Sequence, residues 1–232
     1  MLCISGWNKK CGITDSNFVN FVVQITIDEC IYLYTMTAVE IAKMLRTKTV
    51  GIAGCGGLGS NCAVALARVG VGTIIIADFD VISEGNLNRQ YYFCDQIGLK
   101  KIYALKESIG RINPVVNVIA YDLRLSCENI PLIFAGCDVI VEAFDMADQK
   151  KMLLESLFIA MPLVPVVVGL GMAGWGMNDT IHCRKVDNLF ICGDEISEIS
   201  PDLPPIAPRV GIVANMQANV VLEILLGSEL VK

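Results

Sequence analysis

The run Thr49-Val50-Gly51-Ile52-Ala53, followed directly by Gly54-Cys55-Gly56-Gly57-Leu58-Gly59-Ser60, decides how this chain folds. The first five residues read as a short buried strand, and the four glycines of the second run break it. Residues 60–69 then read as a helix that ends at Gly70, a residue suited to terminating one. Strand, glycine loop and helix in this order form the context that a dinucleotide-binding fingerprint requires. Glycines let backbone approach a phosphate, and the helix N-terminus offers N–H donors and the positive end of its dipole. Asp78 closes the next β-branched stretch, residues 73–77, where a carboxylate suits a ribose diol. The loop by itself does not separate NAD from ATP.

Outward from this unit the pattern stays regular. Helices are expected over residues 38–45, 101–112 and 148–159, the second stopped by Asn113-Pro114. Buried strands are expected over 115–121, 138–143 and 164–169. Residues 180–186 and 188–192 read as an antiparallel hairpin turning at Asp187-Asn188. Four prolines predict an irregular loop over 201–208, and a closing helix follows over 209–226, stopped by Gly227. Strands alternating with helices imply right-handed βαβ units. The expected class is therefore α/β: a Rossmann-like, doubly wound, mostly parallel sheet with a short antiparallel extension near the C-terminus. Residues 1–35 lack a clear period and are set apart as an N-terminal appendage, leaving 36–232 as the nucleotide-binding domain.

The 232 residues are 54% hydrophobic, enough to bury a large core. The net charge of −6 argues against nonspecific binding of nucleic acid, which needs Lys and Arg to neutralise phosphates. The two most apolar stretches, 18–39 and 206–226, carry charged and amide side chains within them, so neither reads as a membrane span. The ten cysteines show no C-x-x-C pair, so no zinc site is expected, and a reducing compartment fits better than a disulfide framework. The expected location is cytoplasmic.

Beyond Asp78 lies a polar cluster that a nicotinamide enzyme would not need: Asp80, then Asn86-Leu87-Asn88-Arg89-Gln90, then Gly98-Leu99-Lys100-Lys101. Arg forks onto phosphate oxygens, and amides can hold a triphosphate or a carboxylate. A lysine opening a helix is disfavoured by the helix dipole, so it needs another reason to be there. Lys100, taken alone, reads as a solvated surface residue. Asp145, just ahead of a predicted helix, reads on position alone as a helix cap.

Taken together, Gly-x-Gly-Gly-Leu-Gly-Ser, Asp-Phe-Asp, Asn-Leu-Asn-Arg-Gln, Gly-x-x-Lys and Arg111-Ile112-Asn113-Pro114 resemble the ThiF/MoeB/ubiquitin-activating superfamily across residues 45–228. The stretch from Pro205 to Gly227 looks most like compact bacterial ThiF, a sulfur carrier protein adenylyltransferase. The resemblance implies ATP- and Mg²⁺-dependent adenylation of the C-terminal carboxylate of a small ubiquitin-like sulfur carrier with a Gly-Gly tail, in thiamine thiazole synthesis. It also implies a homodimer. By the same resemblance Gly54, Gly56, Gly57 and Gly59 line the nucleotide, Asp78 holds the ribose, and Asn86, Arg89 and Gln90 grip the triphosphate. Lys101 is then the catalytic lysine, with Arg89 and Asp145 beside it. Asp145 coordinates Mg²⁺, and Asp80 is a second candidate ligand.

Two departures stand out. The N-terminal Arg-Tyr-x-Arg-Gln segment that many members send into the partner subunit's site is absent, as are the zinc-binding C-x-x-C pairs of larger members. Some relatives use a cysteine in a second step; Cys192 and Cys183 are the candidates by position, although no neighbour is placed to lower their pKa. His182 reads as a strand residue with a structural role. Three alternatives remain: a tRNA-modifying dehydratase of the same superfamily, an NAD-dependent oxidoreductase, and a catalytically inert scaffold subunit. Intact Arg89, Lys101 and Asp145 argue against the last.

Overall fold

The structure is a computed structural model that describes residues 36–230. The expected appendage, residues 1–35, lies outside the described residues. Along the chain run α1 (Ala38–Leu45), β1 (Thr49–Ala53), α2 (Gly57–Val69), β2 (Thr73–Asp78), α3 (Lys101–Ile112), β3 (Asn117–Asp122), the single-turn α4 (Ile130–Ile133) and β4 (Val139–Glu142). Then come α5 (Ala147–Ala160), β5 (Val166–Gly169), β6 (His182–Val186), β7 (Leu189–Gly193) and α6 (Ala207–Leu230). The strands form one sheet in the order β3-β2-β1-β4-β5-β7-β6. All neighbours are parallel except the β6–β7 hairpin, in which Cys183 faces Cys192.

Burial on both faces explains why the inner strands are apolar throughout rather than alternating. In β2, Ile74 and Ile76 point into one layer, with Ile75 and Ala77 in the other. The first layer is built with α2, α3 and α6; the second with α4 and α5. Phe134, fully buried, belongs to the second layer and lies over Gly51: a Cβ on that glycine would stand 2.6 Å from the ring.

The connection that sets the site is the one from β1. From β1 the chain moves outward to β2 and β3, then returns to β4 on the opposite side of β1. The loops after β1 and β4 therefore diverge and leave a crevice at the carboxyl ends of these strands, where open α/β sheets take ligands. Gly54 opens the first loop with φ of 97°, a left-handed conformation that glycine adopts without strain. Gly59, one turn into α2, has no room for a side chain: its Cβ would lie 1.9 Å from the Gly54 carbonyl oxygen.

Three local expectations change. Helix α2 begins at Gly57, because the glycine backbone itself forms the first turn. Helix α6 takes in Pro208 at its second position, where the missing N–H costs no hydrogen bond, and it runs through Gly227 to Leu230. A glycine within a helix weakens it by only about 1 kcal/mol, which packing against the core offsets. Helix α6 is long and apolar enough to cross a bilayer by length and composition, but it packs on α2 and the sheet. Asn113 of the Arg-Ile-Asn-Pro run is structural: its amide donates to the carbonyl of Ala67 at 2.9 Å, near the C-terminus of α2.

Truncating Phe134 to alanine empties the space over β1. The substitution is expected to lower unfolding free energy by about 3–5 kcal/mol, read from the midpoint of urea denaturation.

Candidate functional site

A cleft of about 510 Å³ occupies the predicted crevice. Its floor is the glycine loop, with Gly54, Gly56 and Gly57 exposed to it. Asp78 and Asp80 come from the end of β2, Arg89 from the segment after the Glu84–Asn86 turn, Lys101 from the start of α3, and Asp145 from the loop after β4. Residues from Gly54 to Asp145 thus converge on one cleft.

Each has a local reason for its place. Both Asp78 oxygens cap backbone: Oδ2 accepts from Cys55 N–H at 2.6 Å and Oδ1 from Asp80 N–H at 2.8 Å. Carboxylate oxygens keep further lone pairs for other donors. Asn61 and Ser60 of α2 hold the segment that bears Arg89. Asn61 donates to the Arg89 carbonyl at 2.9 Å, and the Ser60 hydroxyl accepts from Tyr91 N–H at 2.9 Å. Arg89 Nη1 in turn donates to the Asn88 side chain at 2.7 Å and the Gly85 carbonyl at 3.1 Å.

Lys101 is the buried cation of the cleft, 6% exposed as the first residue of α3. Its ammonium sits 2.7 Å from Asp80 Oδ2, and the Asp80 carboxylate is half exposed. That contact explains a lysine where the helix dipole opposes one. Lys100 bonds Phe79 O at 2.6 Å and Asp122 at 3.0 Å, outside the cleft. Tyr92, unnoticed in the sequence, donates its hydroxyl to the Cys55 carbonyl at 2.7 Å and stiffens the glycine loop from beneath. Burial, reinforced by the neighbouring Asp78 carboxylate, pushes the Cys55 thiol well above its ordinary value, so this cysteine is inert packing.

Not every expected residue faces the cleft. Gly59 serves helix packing. Asn86 caps its own turn by accepting from Ser83 N–H at 3.0 Å. Gln90 is 9% exposed beside Gly56, and its Oε1 finds no hydrogen-bond partner among the described residues. Asp145 is not a helix cap: Met146 takes that position, and Asp145 is exposed at the cleft. Cys192 and Cys183 face each other across β6 and β7, with sulfurs 3.9 Å apart, and neither lines the cleft. Burial raises both thiols. His182 bridges the Thr180 carbonyl (2.8 Å) and Glu195 (3.2 Å), away from the cleft.

Sequence reading missed the far wall, where Phe144, Met146, Gln149, Lys150, Met172 and Val210 contribute. It also missed Arg209, 3% exposed at the start of α6. This arginine pairs with Asp194 at 2.5 Å and donates to the Gly176 carbonyl and to Thr180 at 3.3 Å. It joins the loops after β5 and β7 next to Val210, a cleft residue.

The sequence profile of the ThiF family matches residues 32–232. The chain belongs to the ThiF family. It is 32% identical over 180 residues to the adenylyltransferase and sulfurtransferase UBA4 of Eremothecium gossypii, covering 77% of this chain and 38% of that protein. To the probable adenylyltransferase/sulfurtransferase MoeZ of Mycobacterium tuberculosis it is 39% identical over 123 residues, 53% of this chain and 31% of that one. It spans less than half the length of these relatives. Among solved structures, the E. coli tRNA N6-threonylcarbamoyladenosine dehydratase TcdA in complex with AMP superposes with a TM-score of 0.75 at 20% identity. That match covers 93% of this chain and 98% of TcdA. E. coli MccB with ATP gives a TM-score of 0.64 at 20% identity, covering 94% and 73%. At this identity the two structures establish the fold that the ThiF-family chain shares with them.

The Arg209–Asp194 pair makes a prediction about acid stability. Burial alone would raise Asp194, but the N–H groups of Ser197 and Ile196, the Ser197 hydroxyl and Arg209 outweigh it and bring the carboxyl down to about 2. A depressed folded-state pKa stabilises above the unfolded value near 4, and the contribution is lost as pH falls through about 2. Unfolding free energy should therefore drop by roughly 2 kcal/mol through this group between pH 4 and 2. Asp194→Asn should remove that part of the pH dependence in urea titrations.

Proposed function

We propose that this chain binds ATP and transfers its adenylate to the C-terminal carboxylate of a small ubiquitin-like sulfur carrier. The observation that carries the reading is the convergence of Arg89, Lys101, Asp80 and Asp145 on a glycine loop at the switch point of the sheet. An oxidoreductase would use the loop and Asp78 and leave those four charges without work. The UBA4 and MoeZ relatives, named as adenylyltransferases and sulfurtransferases, support the reaction class and a sulfur-carrier partner. The nucleotide complexes of TcdA and MccB support a nucleotide in this cleft. Resemblance of the closing stretch to compact bacterial ThiF favours thiamine thiazole synthesis as the setting.

In the proposed reaction a carboxylate oxygen attacks the α-phosphorus of ATP, an acyl–phosphate bond forms, and the bond to the bridging oxygen breaks to release pyrophosphate. The chain supplies no covalent partner, so its work is positioning and charge stabilisation. The glycine loop and the N-terminus of α2 present N–H groups to phosphate. Asp78 accepts from the ribose hydroxyls. Gln90, which does not line the cleft, backs the glycine loop beside Gly56. Lys101 exchanges its bond to Asp80 for the departing phosphates, and Arg89 takes the remaining anionic charge. Carboxylates fit Mg²⁺, which binds proteins through one or two carboxylates and takes its other ligands from phosphates and water. Among the described residues no three His, Cys, Asp or Glu side chains gather into a metal cluster, and this ion does not need one. Asp145 would hold it, with Asp80 as the second carboxylate, and the ion would neutralise phosphate charge.

A second reading has one observation in its favour: TcdA matches this chain over nearly its whole length. On that reading the acceptor is a small carboxylate on tRNA, which the net charge of −6 disfavours.

ATP–pyrophosphate exchange separates the two. Exchange that requires a carrier with a free Gly-Gly terminus supports the first reading; exchange that requires carboxylate-bearing tRNA replaces it with the second. Lys101→Ala is expected to cut the exchange rate by about 100-fold or more while calorimetry still detects ATP binding. Unchanged turnover in that variant would remove Lys101 from its role.

A further inference from the structure

Behind the far wall of the cleft lies a charged pair that the proposed reaction does not use. Glu142 ends β4 and is fully buried, at a position facing the layer of Ile140, Val166 and Val168. The pattern of that strand calls for an apolar side chain there. Both carboxylate oxygens are engaged: Oε1 accepts the N–H of Phe144 at 2.7 Å, and Oε2 accepts from Lys150 Nζ at 2.7 Å. Lys150, in the first turns of α5, also donates to the Gly169 carbonyl at the end of β5, at 3.0 Å, and lines the cleft. From the other layer, Gln217 of α6 donates to the Glu142 carbonyl at 3.0 Å. Asp145 is the next residue after Phe144.

A buried ion pair is a poor way to add stability, because desolvating two charges offsets most of their attraction; an apolar pair of similar volume does as well or better. Burial raises Glu142, and the Lys150 charge and the Phe144 N–H offset part of that rise. What the pair provides is geometry. It ties the end of β4, the loop over residues 143–146, the start of α5 and the end of β5 to one point. Supporting hydrogen bonds of this kind orient the groups that contact a metal or substrate.

We propose that Glu142 and Lys150 are positioning residues of the adenylation site, holding the loop that presents Asp145 to the cleft. The kinetic part rests on the adenylation reading; the positioning itself does not. Lys150 acts through Glu142 and the Phe144 amide, and the ion that Asp145 would hold feels the loss.

The test compares wild type, Lys150→Met, Lys150→Arg and the charge-free pair Glu142→Leu/Lys150→Met. Amide hydrogen exchange of peptides spanning 143–147, read by mass spectrometry on the free protein, needs no ligand. Lys150→Met is expected to speed exchange there by about tenfold. Exchange in α2 and β2 should stay unchanged, and Lys150→Arg should restore protection. In ATP–pyrophosphate exchange, the same variant should need about tenfold more Mg²⁺ for half-saturation, with KM for ATP unchanged once Mg²⁺ saturates. If Lys150→Met does not fold, the double variant leaves no unpaired buried charge and carries the same expectations. Wild-type protection of 143–147 in a folded variant lacking the ammonium would overturn the proposal. So would a lowered stability with an unaltered Mg²⁺ requirement, the mark of a merely structural pair. A wild-type protein that shows no pyrophosphate exchange would end the adenylation reading, and the amide measurements would still decide the positioning.

Discussion

The distance at which α2 meets the end of β1 governs everything at the cleft. The helix comes so close that a single methyl group on Gly59 would overlap the Gly54 carbonyl. That approach puts the first-turn N–H groups of α2 directly beyond the sheet, where an anion can reach them. It also brings Ser60 and Asn61 within reach of residues 89–91, so the segment bearing Arg89 is held by the helix rather than by its own weak turn. A helix one side chain further out would lose both the anion site and the arginine.

Charge in the cleft is arranged unevenly. The cation Lys101 is buried, while the carboxylates of Asp80 and Asp145 stand at its open side. Partial burial strengthens the field of the cation, and the exposed carboxylates remain accessible to a hydrated ion. The far wall is mostly apolar, with Phe144, Met146, Met172 and Val210, which suits one side to a base and the other to phosphates. Arg209 ties the loops that close this wall to the start of α6, so the wall belongs to the core rather than to a free loop.

The ThiF-family chain shares its fold with proteins whose names differ in activity, a tRNA N6-threonylcarbamoyladenosine dehydratase among them. A common fold does not fix the acceptor, which has to be argued from the site. The chain spans less than half the length of its UBA4 and MoeZ relatives.

Much of the architecture was legible in the sequence, because it rests on local and periodic signals. The glycine run after an apolar strand, the helix over Lys101–Ile112 and the hairpin at Asp187-Asn188 all follow from residues within a few positions of each other. Asp78, Asp80, Arg89, Lys101 and Asp145 could likewise be singled out, since their order along the chain is itself the signature. What the sequence could not decide was which side chains end up buried together. Gln90 and Asn86 look alike in the motif, yet one is buried beside the glycine loop and the other caps a turn. Glu142 and Lys150 look like ordinary strand-end and helix-surface charges until β4, β5 and α5 meet, bury the carboxylate completely and leave the ammonium only an edge on the cleft. Burial and partnership are set by strands and helices far apart in the chain, so only the tertiary structure could assign them.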